Sequence, residues 1–450
     1  VMVMRGDGGA TDLEGFRAAP ARTLYSGPAA SVAGALRYAR ITDGIVVEVG
    51  GTSTNVASVR LGRPALSYVQ VASHATALRS VDVRVVGVAG GSMLRVRRGR
   101  VLGVGPRSAH IAGLAYACFT PAEAFEGARF DLIAPKVGDP ADYAVVRLVD
   151  GSAVALTNTC AANALGITRP GDYAWAEPAA ARAAFAVTGA ALRLDGDEVA
   201  RRMLQASGEA VCELVDTLAR ARKLHDPVIV AVGGAAGGLG RHVAAMLGLE
   251  CRVPAGAEVI SSIGDALSHV RAEKERTVDV VSAAVVRELA AEVEAEALAA
   301  GVAPATLEVQ VEEVPERGTV RAVATGSIGL RSGAVPGLEP CSEDEVRAVA
   351  GTPVQRAGAF WVAVDGDRVT VFDRLGEEVA RLRGRPVAWG DLAGAVASAT
   401  RYRGPVTLRP SVWVIDGIRL TELSSGDTVA AASALRDDDA DQLVLVGRSR

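Results

Sequence analysis

A short run of glycine and hydroxyl residues follows an apolar stretch early in the chain. The run is Gly50-Gly51-Thr52-Ser53-Thr54, and residues 45–49 before it are apolar except for Glu48. Glycine has no Cβ, so such a backbone can approach a ligand closely, and successive N–H groups of a turn can bind phosphate. Glu48 can hold Mg²⁺ through water, since Mg²⁺ keeps several of its waters. A tight β-hairpin whose hydroxyls bond only the turn backbone explains the residues equally well.

A second glycine-rich run occupies residues 232–240, V-G-G-A-A-G-G-L-G, between an apolar strand pattern and a helix pattern. Its N–H groups and the helix dipole favour an anion or the edge of a nucleotide. It is not a P-loop, because the chain has no G-K-[ST], and it lies too far along the chain for a dinucleotide fingerprint. Close packing of a helix on a strand is the alternative explanation for its glycines. Two such turns, each after a buried strand, favour a nucleotide bound between them.

The elements that must position these turns alternate between strand and helix as far as about residue 275, which is the α/β pattern. Beyond that point a helix at 282–300 precedes short strands with alternating apolar and polar residues. A chain of 450 residues is also too long for one hydrophobic core. We therefore predict an α/β domain over residues 1–280 and an α+β domain over 281–450. The clearest helix spans 197–222, with Asp197 as its predicted cap.

The charge and cysteine content exclude several classes of protein. The net charge of −4 has both signs interspersed, so no basic surface for nucleic acid or an anionic membrane is expected. The five cysteines form no C-x-x-C pair, which is typical of reduced thiols. No signal peptide or uninterrupted apolar span is evident. We therefore expect a cytoplasmic protein that acts on a small molecule.

Six separated motifs together resemble the central domain of the hydantoinase A/5-oxoprolinase family, which also includes subunits of acetone and acetophenone carboxylases. In chain order they are R-G-D-G-G (5–9), A-R-T-L-Y-S-G-P-A-A-S-V-A-G-A (21–35), V-G-G-T-S-T-N-V (49–56), V-G-V-A-G-G-S (86–92), G-V-G-P-R-S-A (103–109) and V-G-G-A-A-G-G-L-G-R-H-V-A (232–244). The resemblance covers roughly residues 1–275.

This resemblance implies an actin-like, sugar-kinase-like ATPase core with RNase H-like lobes and with ATP and Mg²⁺ between them. It also implies ATP-dependent hydrolysis of a cyclic amide such as hydantoin or 5-oxoproline. The first glycine run would hold the β- and γ-phosphates, and Gly233, Gly234, Gly237 and Gly238 would shape the adenosine side. The family's N-terminal lobe carries another Gly-Gly-Thr phosphate loop, whereas this chain has one such triplet. We therefore expect a partner lobe or subunit, and an oligomer.

Three positions depart from the family pattern, and they bear on catalysis. The family usually has aspartate where this chain has Glu48 and Asn55, and Asn55 cannot act as a base. Glu48 remains the candidate for a water-bound metal. The family often has a histidine at the position of Arg84, and arginine does not ligate metals.

The candidates for substrate binding are Arg84, Arg107 and His110. A guanidinium group can bind a substrate carboxylate through two hydrogen bonds, although a solvated surface position explains the arginines as well. His110 is close in sequence to Cys118, and a thiolate beside an imidazole can be a nucleophile pair. An inert cysteine and a buried histidine are the alternative, and a structural role is the alternative for Cys160 at a helix start.

Two alternatives to a cyclic-amide hydrolase remain open on the sequence. The departures at Glu48, Asn55 and Arg84 also suit a catalytically degenerate member that serves as a binding or assembly subunit. A phosphotransferase of the sugar-kinase type would use the same glycine turns.

Overall fold

A computed structural model describes residues 2–39, 41, 43–60, 63–71, 74–279, 281–314, 318–327, 340–403, 406–437 and 440–449. Within these ranges the protein is a mixed α/β structure, as predicted, with three large sheets and two separate two-stranded hairpins. None of its helices there is both long and apolar enough to cross a bilayer.

The helices of the described ranges are α1 (Leu13–Ala18), α2 (Ser26–Ala39), α3 (Ala109–Ala112), α4 (Asn158–Ala164), α5 (Pro178–Leu192), α6 (Gly196–Arg222), α7 (Arg241–Leu247), α8 (Ile260–Ala266), α9 (Ala283–Ala299), α10 (Glu343–Ala350), α11 (Leu392–Ala399) and α12 (Thr428–Ser433). The predicted helices at 27–39, 197–222, 282–300 and 391–399 correspond to α2, α6, α9 and α11.

The strands of the first 280 residues are β1 (Met2–Met4), β2 (Ala10–Asp12), β3 (Gly44–Val49), β4 (Thr54–Arg60), β5 (Arg63–Pro64), β6 (Leu66–Val71), β7 (His74–Val81), β8 (Val83–Val86), β9 (Ser92–Arg97), β10 (Arg100–Ser108), β11 (Ala115–Tyr116), β12 (Arg129–Ile133), β13 (Tyr143–Arg147), β14 (Ala153–Ala155), β15 (Val228–Val232), β16 (Cys251–Arg252) and β17 (Val270–Thr277). The strands after residue 280 are β18 (Glu308–Val314), β19 (Thr319–Gly326), β20 (Val354–Ala357), β21 (Phe360–Asp365), β22 (Arg368–Phe372), β23 (Glu378–Val387), β24 (Arg401–Arg403), β25 (Val406–Leu408), β26 (Ser411–Asp416), β27 (Arg419–Leu423) and β28 (Gln442–Ser449).

The sheet that carries both predicted glycine turns has the order β16-β15-β3-β4-β5, with β8 also paired to β4. Strand β3 is antiparallel to β4 and parallel to β15. Because β3 and β15 are parallel neighbours, their carboxyl ends meet at one edge of the sheet. Helix α2 contributes Val32 and Leu36 to the core on one face, and α6 contributes Val199 and Met203 to the core on the other.

A second sheet has the order β10-β9-β13-β14-β11, with β12 added beside β13. Its Leu94 and Val146 pack into the same core as Phe185 of α5. The connection from β8 to β9 carries the motif at 86–92, so this second sheet holds that loop against the first.

The third sheet has twelve strands and runs through both halves of the sequence. Its order is β1-β2-β17-β19-β18-β27-β26-β28-β23-β22-β21-β20. Strand β17 pairs with β19 along its whole length, from Val270 opposite Gly326 to Thr277 opposite Thr319. Hydrogen bonding therefore crosses the proposed boundary at residue 280, and the division into two domains stays a prediction.

The start of α6 differs from the prediction. Asp195, not Asp197, caps the helix, because its side chain accepts from the N–H groups of Asp197 and Glu198. Asp195 has an extended backbone just outside the first turn, the position from which a side chain can bond the unpaired N–H groups of that turn. Lys223 ends the helix in a left-handed conformation.

Candidate functional site

The first glycine run forms the turn of the β3–β4 hairpin. Val49 pairs with Thr54, and the N–H of Gly50 donates to the carbonyl of Ser53 over 3.1 Å. The local backbone is therefore a tight β-hairpin, which was the alternative explanation of this run in the sequence. Gly51 and Thr52, at the tip of the turn, are exposed.

A second glycine pair fixes the direction of this turn's peptide groups. The N–H groups of Gly90 and Gly91 donate to the carbonyls of Gly50 and Gly51, each over 3.0 Å. In a trans peptide the C=O and the following N–H point in opposite directions. The N–H groups of Gly51 and Thr52 therefore both point away from the 90–91 loop. Successive N–H groups that point the same way form a concave anion site.

The second predicted glycine turn lies beside the first, at the carboxyl end of β15. Gly233 has φ +88°, and a Cβ there would lie 2.5 Å from the carbonyl oxygen of Val49. The N–H of Ala235 donates to that same carbonyl over 3.1 Å. A Cβ on Gly234 would lie 3.3 Å from the ring of Tyr173. The structure therefore brings residues 50–51 and 233–234 together.

Gly237 and Gly238 are buried in a π-helical turn, Ala236–Gly240, that leads into α7. A Cβ on Gly237 would lie 2.4 Å from the carboxyl carbon of Asp172, which forms an ion pair with Arg241. A Cβ on Gly238 would lie 2.9 Å from the Cβ of Ala162 in α4. Close packing accounts for these two glycines, and their part in an adenosine site stays a prediction.

Gly90 and Gly91 also belong to the site, although their sequence pattern alone did not predict it. A Cβ on Gly90 would lie 2.3 Å from the Cβ of Ala235, and its carbonyl accepts from the N–H of Thr159 over 2.9 Å. This loop therefore contacts both turns. The sequence feature that could have identified this loop is a third Gly-Gly pair, Gly90-Gly91, directly after a strand pattern.

Glu48 and Asn55 face each other across the hairpin. The Asn55 amide Nδ2 donates to Glu48 Oε2 over 2.9 Å, and the Ser31 hydroxyl donates to Oε1 over 2.6 Å. A carboxylate has about four lone-pair positions, so each oxygen retains capacity for a water. The described residues contain no group of three or more metal-ligating side chains. Mg²⁺ bound through one carboxylate and nucleotide phosphates needs no such group, so the residues fit a water-bound Mg²⁺.

The three hydroxyl side chains of the turn lie in different environments. Thr52 is exposed and Ser53 is half-buried. Thr54 is fully buried, and its hydroxyl donates to the carbonyl of Val88 over 2.6 Å. Thr54 therefore fixes the hairpin to the loop after β8, and contact with a phosphate stays a prediction for all three.

The predicted substrate residues do not converge on one point. Arg84 is exposed on β8 and lies 3.4 Å from a carboxylate oxygen of Asp82. Arg107 already binds the carboxylate of Asp139 through two hydrogen bonds of 2.8 Å. His110 is exposed on α3, next to Ala109, whose N–H donates to the Gly91 carbonyl.

Cys118 and Cys160 form a buried pair behind these loops. The N–H of Cys118 donates to the Cys160 sulfur over 3.4 Å. The hydrogen bond to Cys160 and burial raise the pKa of Cys118. Burial raises the pKa of Cys160, but hydrogen bonds from Cys118 and Thr157 bring it to about 7. Cys118 is buried, which supports the inert-cysteine alternative. His110 is exposed, so the expectation of a buried histidine is wrong.

Comparison with known proteins gives one family match. The family model described as Hydantoinase/oxoprolinase matches residues 1–274. No curated protein sequence matches the chain.

Similar solved structures include two large enzymes. A nucleotide-free acetone carboxylase is 17% identical with a TM-score of 0.48, over 83% of this chain and 58% of its own. An ATP-dependent caprolactamase from Pseudomonas jessenii is 14% identical with a TM-score of 0.46, over 99% of this chain and 65% of its own. The ethanolamine utilization protein EutJ from Carboxydothermus hydrogenoformans is 16% identical with a TM-score of 0.23, over 53% of each chain. This chain thus spans less than two thirds of each of these structures.

Proposed function

Because the chain belongs to the hydantoinase/oxoprolinase family, we propose that it is the nucleotide-binding part of an ATP-dependent enzyme that hydrolyses a cyclic amide. The observation that carries this proposal is the pair of N–H groups at Gly51 and Thr52. The bonds from Gly90 and Gly91 direct both groups to the same exposed side. That arrangement suits the phosphates of ATP.

The strand order supports an actin-like core. Three antiparallel strands, β8, β4 and β3, are followed by two parallel strands, β15 and β16. This is the arrangement expected for one RNase H-like lobe, in which ligands lie beyond the carboxyl ends of the parallel strands.

Different residues around the turns bind the phosphates and the metal ion. Gly51 and Thr52 bind the phosphates through their N–H groups, and Glu48 holds Mg²⁺ through water. Ser31 and Asn55 keep the Glu48 carboxylate in place. When bound, ATP supplies the phosphoryl group that activates the amide for attack by water. The exposed side of the turn accepts a partner lobe that carries the other phosphate loop.

The test combines nucleotide binding with product analysis. We expect calorimetry to detect weak binding of ATP with Mg²⁺ to this chain. Ring-opened acid is expected from hydantoin or 5-oxoproline only after the partner lobe is added. Rapid ATP hydrolysis by this chain alone would contradict the need for a partner, and a sugar phosphate as product would indicate a phosphotransferase.

A second candidate is a catalytically degenerate binding subunit. The observation in its favour is that Ser31 and Asn55 occupy one position on each Glu48 oxygen. Gly51→Ala in the complete assembly distinguishes the two candidates. An enzyme loses turnover as its ATP binding weakens, whereas an assembly subunit keeps both its partner and its role.

A further inference from the structure

A cavity of about 300 Å³ lies between helix α2 and the twelve-stranded sheet, away from the glycine turns. We call it the charged cavity. Its lining includes Leu36, Arg79, Arg271, Glu308, Asp373 and Glu377. Its volume is at the lower end of the range for small-molecule sites, and such sites often lie between structural units.

The wall formed by the sheet is polar because the strands there alternate. On β17, β19 and β18, Ala272, Ala324 and Val309 point to the core under α9. The residues next to these in sequence are Arg271, Thr325 and Glu308. Because side chains alternate along a strand, these three lie on the opposite face of the sheet. The three line the cavity. The opposite wall is apolar and includes Leu36 of α2 and Leu66 of β6.

One end of the charged cavity is cationic. Arg271 bonds Glu273 through Nε and Nη2, and Arg79 contacts Glu273 through Nη1 at 3.3 Å. Each guanidinium group has five donors, so these contacts use only part of their capacity. Asp7 also lines the cavity; it lies 3.6 Å from Arg271 Nε and forms an ion pair with Arg5. Three arginines thus surround the two carboxylates of Asp7 and Glu273. The remaining N–H groups of Arg79 and Arg271 suit a further carboxylate.

The other end is anionic. Glu308, Asp373 and Glu377 all line the cavity there, and Arg374 Nε lies 3.4 Å from Glu308. Burial and then the charges of Glu377 and Glu308 raise the pKa of Asp373 well above its ordinary value. No group of three or more metal-ligating side chains occurs in the described part of the chain. An ammonium group has three N–H donors and no acceptor, which suits the carboxylates at this end.

The sheet register sets the distance between the two ends. Arg271 pairs with Thr325, and Thr325 pairs with Glu308 on the next strand. Two strand spacings separate the backbones of Arg271 and Glu308 by about 10 Å. Because both side chains reach inward, a ligand with its charges several carbon atoms apart can contact both.

We propose that the charged cavity binds a small ω-amino acid. Its carboxylate contacts Arg79 and Arg271, and its ammonium group contacts the carboxylates of Glu308 and Glu377. Its methylene chain lies along the apolar wall. The cavity contains none of the residues of the glycine turns, so this site is independent of the proposed nucleotide site.

The test is calorimetric titration of the purified chain with δ-aminovalerate, with valerate, pentylamine and glycine as comparison ligands. We expect δ-aminovalerate to bind at least about tenfold tighter than the other three, because only it satisfies both ends. The same affinity is expected without nucleotide and in the Gly51→Ala variant. Equal affinity for pentylamine, or no saturable binding of δ-aminovalerate, would overturn the proposal whatever happens to ATP.

Two variants test which end of the charged cavity binds the carboxylate and which end binds the ammonium group. Arg79→Gln is expected to weaken δ-aminovalerate about tenfold and leave pentylamine unchanged, and Glu377→Gln is expected to weaken both amines and leave valerate unchanged. Arg100→Gln and Glu126→Gln change the same charges at exposed positions outside the cavity, and both should bind like the wild type. Identical effects of the cavity and control variants would refute the assignment. The ligand comparison in the wild type decides the proposal even if a variant fails to fold.

Discussion

The backbone N–H of Ala235 donates to the carbonyl of Val49 over 3.1 Å and thereby joins the ends of two parallel strands. The glycine turns after β3 and β15 are adjacent because of this contact. They can also approach each other because Gly233 has no Cβ, which would clash with the carbonyl oxygen of Val49. Their proximity is the basis of the proposed nucleotide site.

Gly51→Ala separates a requirement of the fold from a requirement of ligand binding. Gly51 has no left-handed φ, and no neighbouring atom lies within 4 Å of a Cβ built there. The variant should therefore fold normally, yet its methyl group should weaken ATP binding, measured by calorimetry, by about tenfold.

The control for this prediction is Gly394→Ala in α11, where a Cβ also meets no neighbour. It should leave ATP binding unchanged and raise the free energy of unfolding by up to about 1 kcal/mol, since alanine favours helix. Unchanged ATP affinity in Gly51→Ala would remove the support for phosphate binding at this turn.

Gly90→Ala should damage the fold itself. Its Cβ would lie 2.3 Å from that of Ala235 and 2.9 Å from the Thr159 hydroxyl. Overpacking of this kind costs about 1–3 kcal/mol of the free energy of unfolding, measured by urea denaturation. Gly51→Ala serves as the matched control. Equal stability of the two variants would mean that the loops are not packed as described.

Asp195→Ala should destabilise α6 by about 0.5–2 kcal/mol, because the side chain caps two N–H groups of the first turn. Asp197→Ala removes the same charge two residues later, where only the interaction with the helix dipole is lost, typically about 0.3–1 kcal/mol. Urea denaturation of both variants tests the difference. A larger loss in Asp197→Ala would restore the sequence-based assignment of the cap.

Asp373→Asn should raise the melting temperature at about pH 8 and have little effect near pH 3. The folded chain holds the Asp373 proton to a higher pH than the unfolded chain does, because the pKa of Asp373 is raised by burial and by Glu377 and Glu308. Stability therefore falls as pH rises from the ordinary aspartate pKa through the raised one. Asparagine carries no charge and keeps an oxygen for the N–H groups of Leu375 and Glu377.

The measurement is thermal unfolding across this pH range of the wild type, Asp373→Asn and the exposed control Asp391→Asn. It shows whether Asp373→Asn raises or lowers the melting temperature. A variant that is less stable than the wild type at pH 8 would show that the charged form of Asp373 is favoured in the fold.

The helices and the glycine turns could be predicted from sequence because their signals are local. The spacing of Val199 and Met203 predicted α6, and the glycines after residues 45–49 predicted a turn. The cap of α6 was misplaced by two residues, because Asp195 and Asp197 are equally suitable residue types and only the backbone distinguishes them.

The sequence by itself determined the family, the α/β pattern and the existence of two glycine turns after buried strands, because each depends on residues that are neighbours in the chain. Only the tertiary structure decided that Gly90 and Gly91 orient the first turn, that Thr54 and Gly238 are buried, and that Arg271 and Glu308 lie two strands apart. Those relationships depend on strand register and on contacts between residues far apart in sequence, and no local pattern of residue types encodes them.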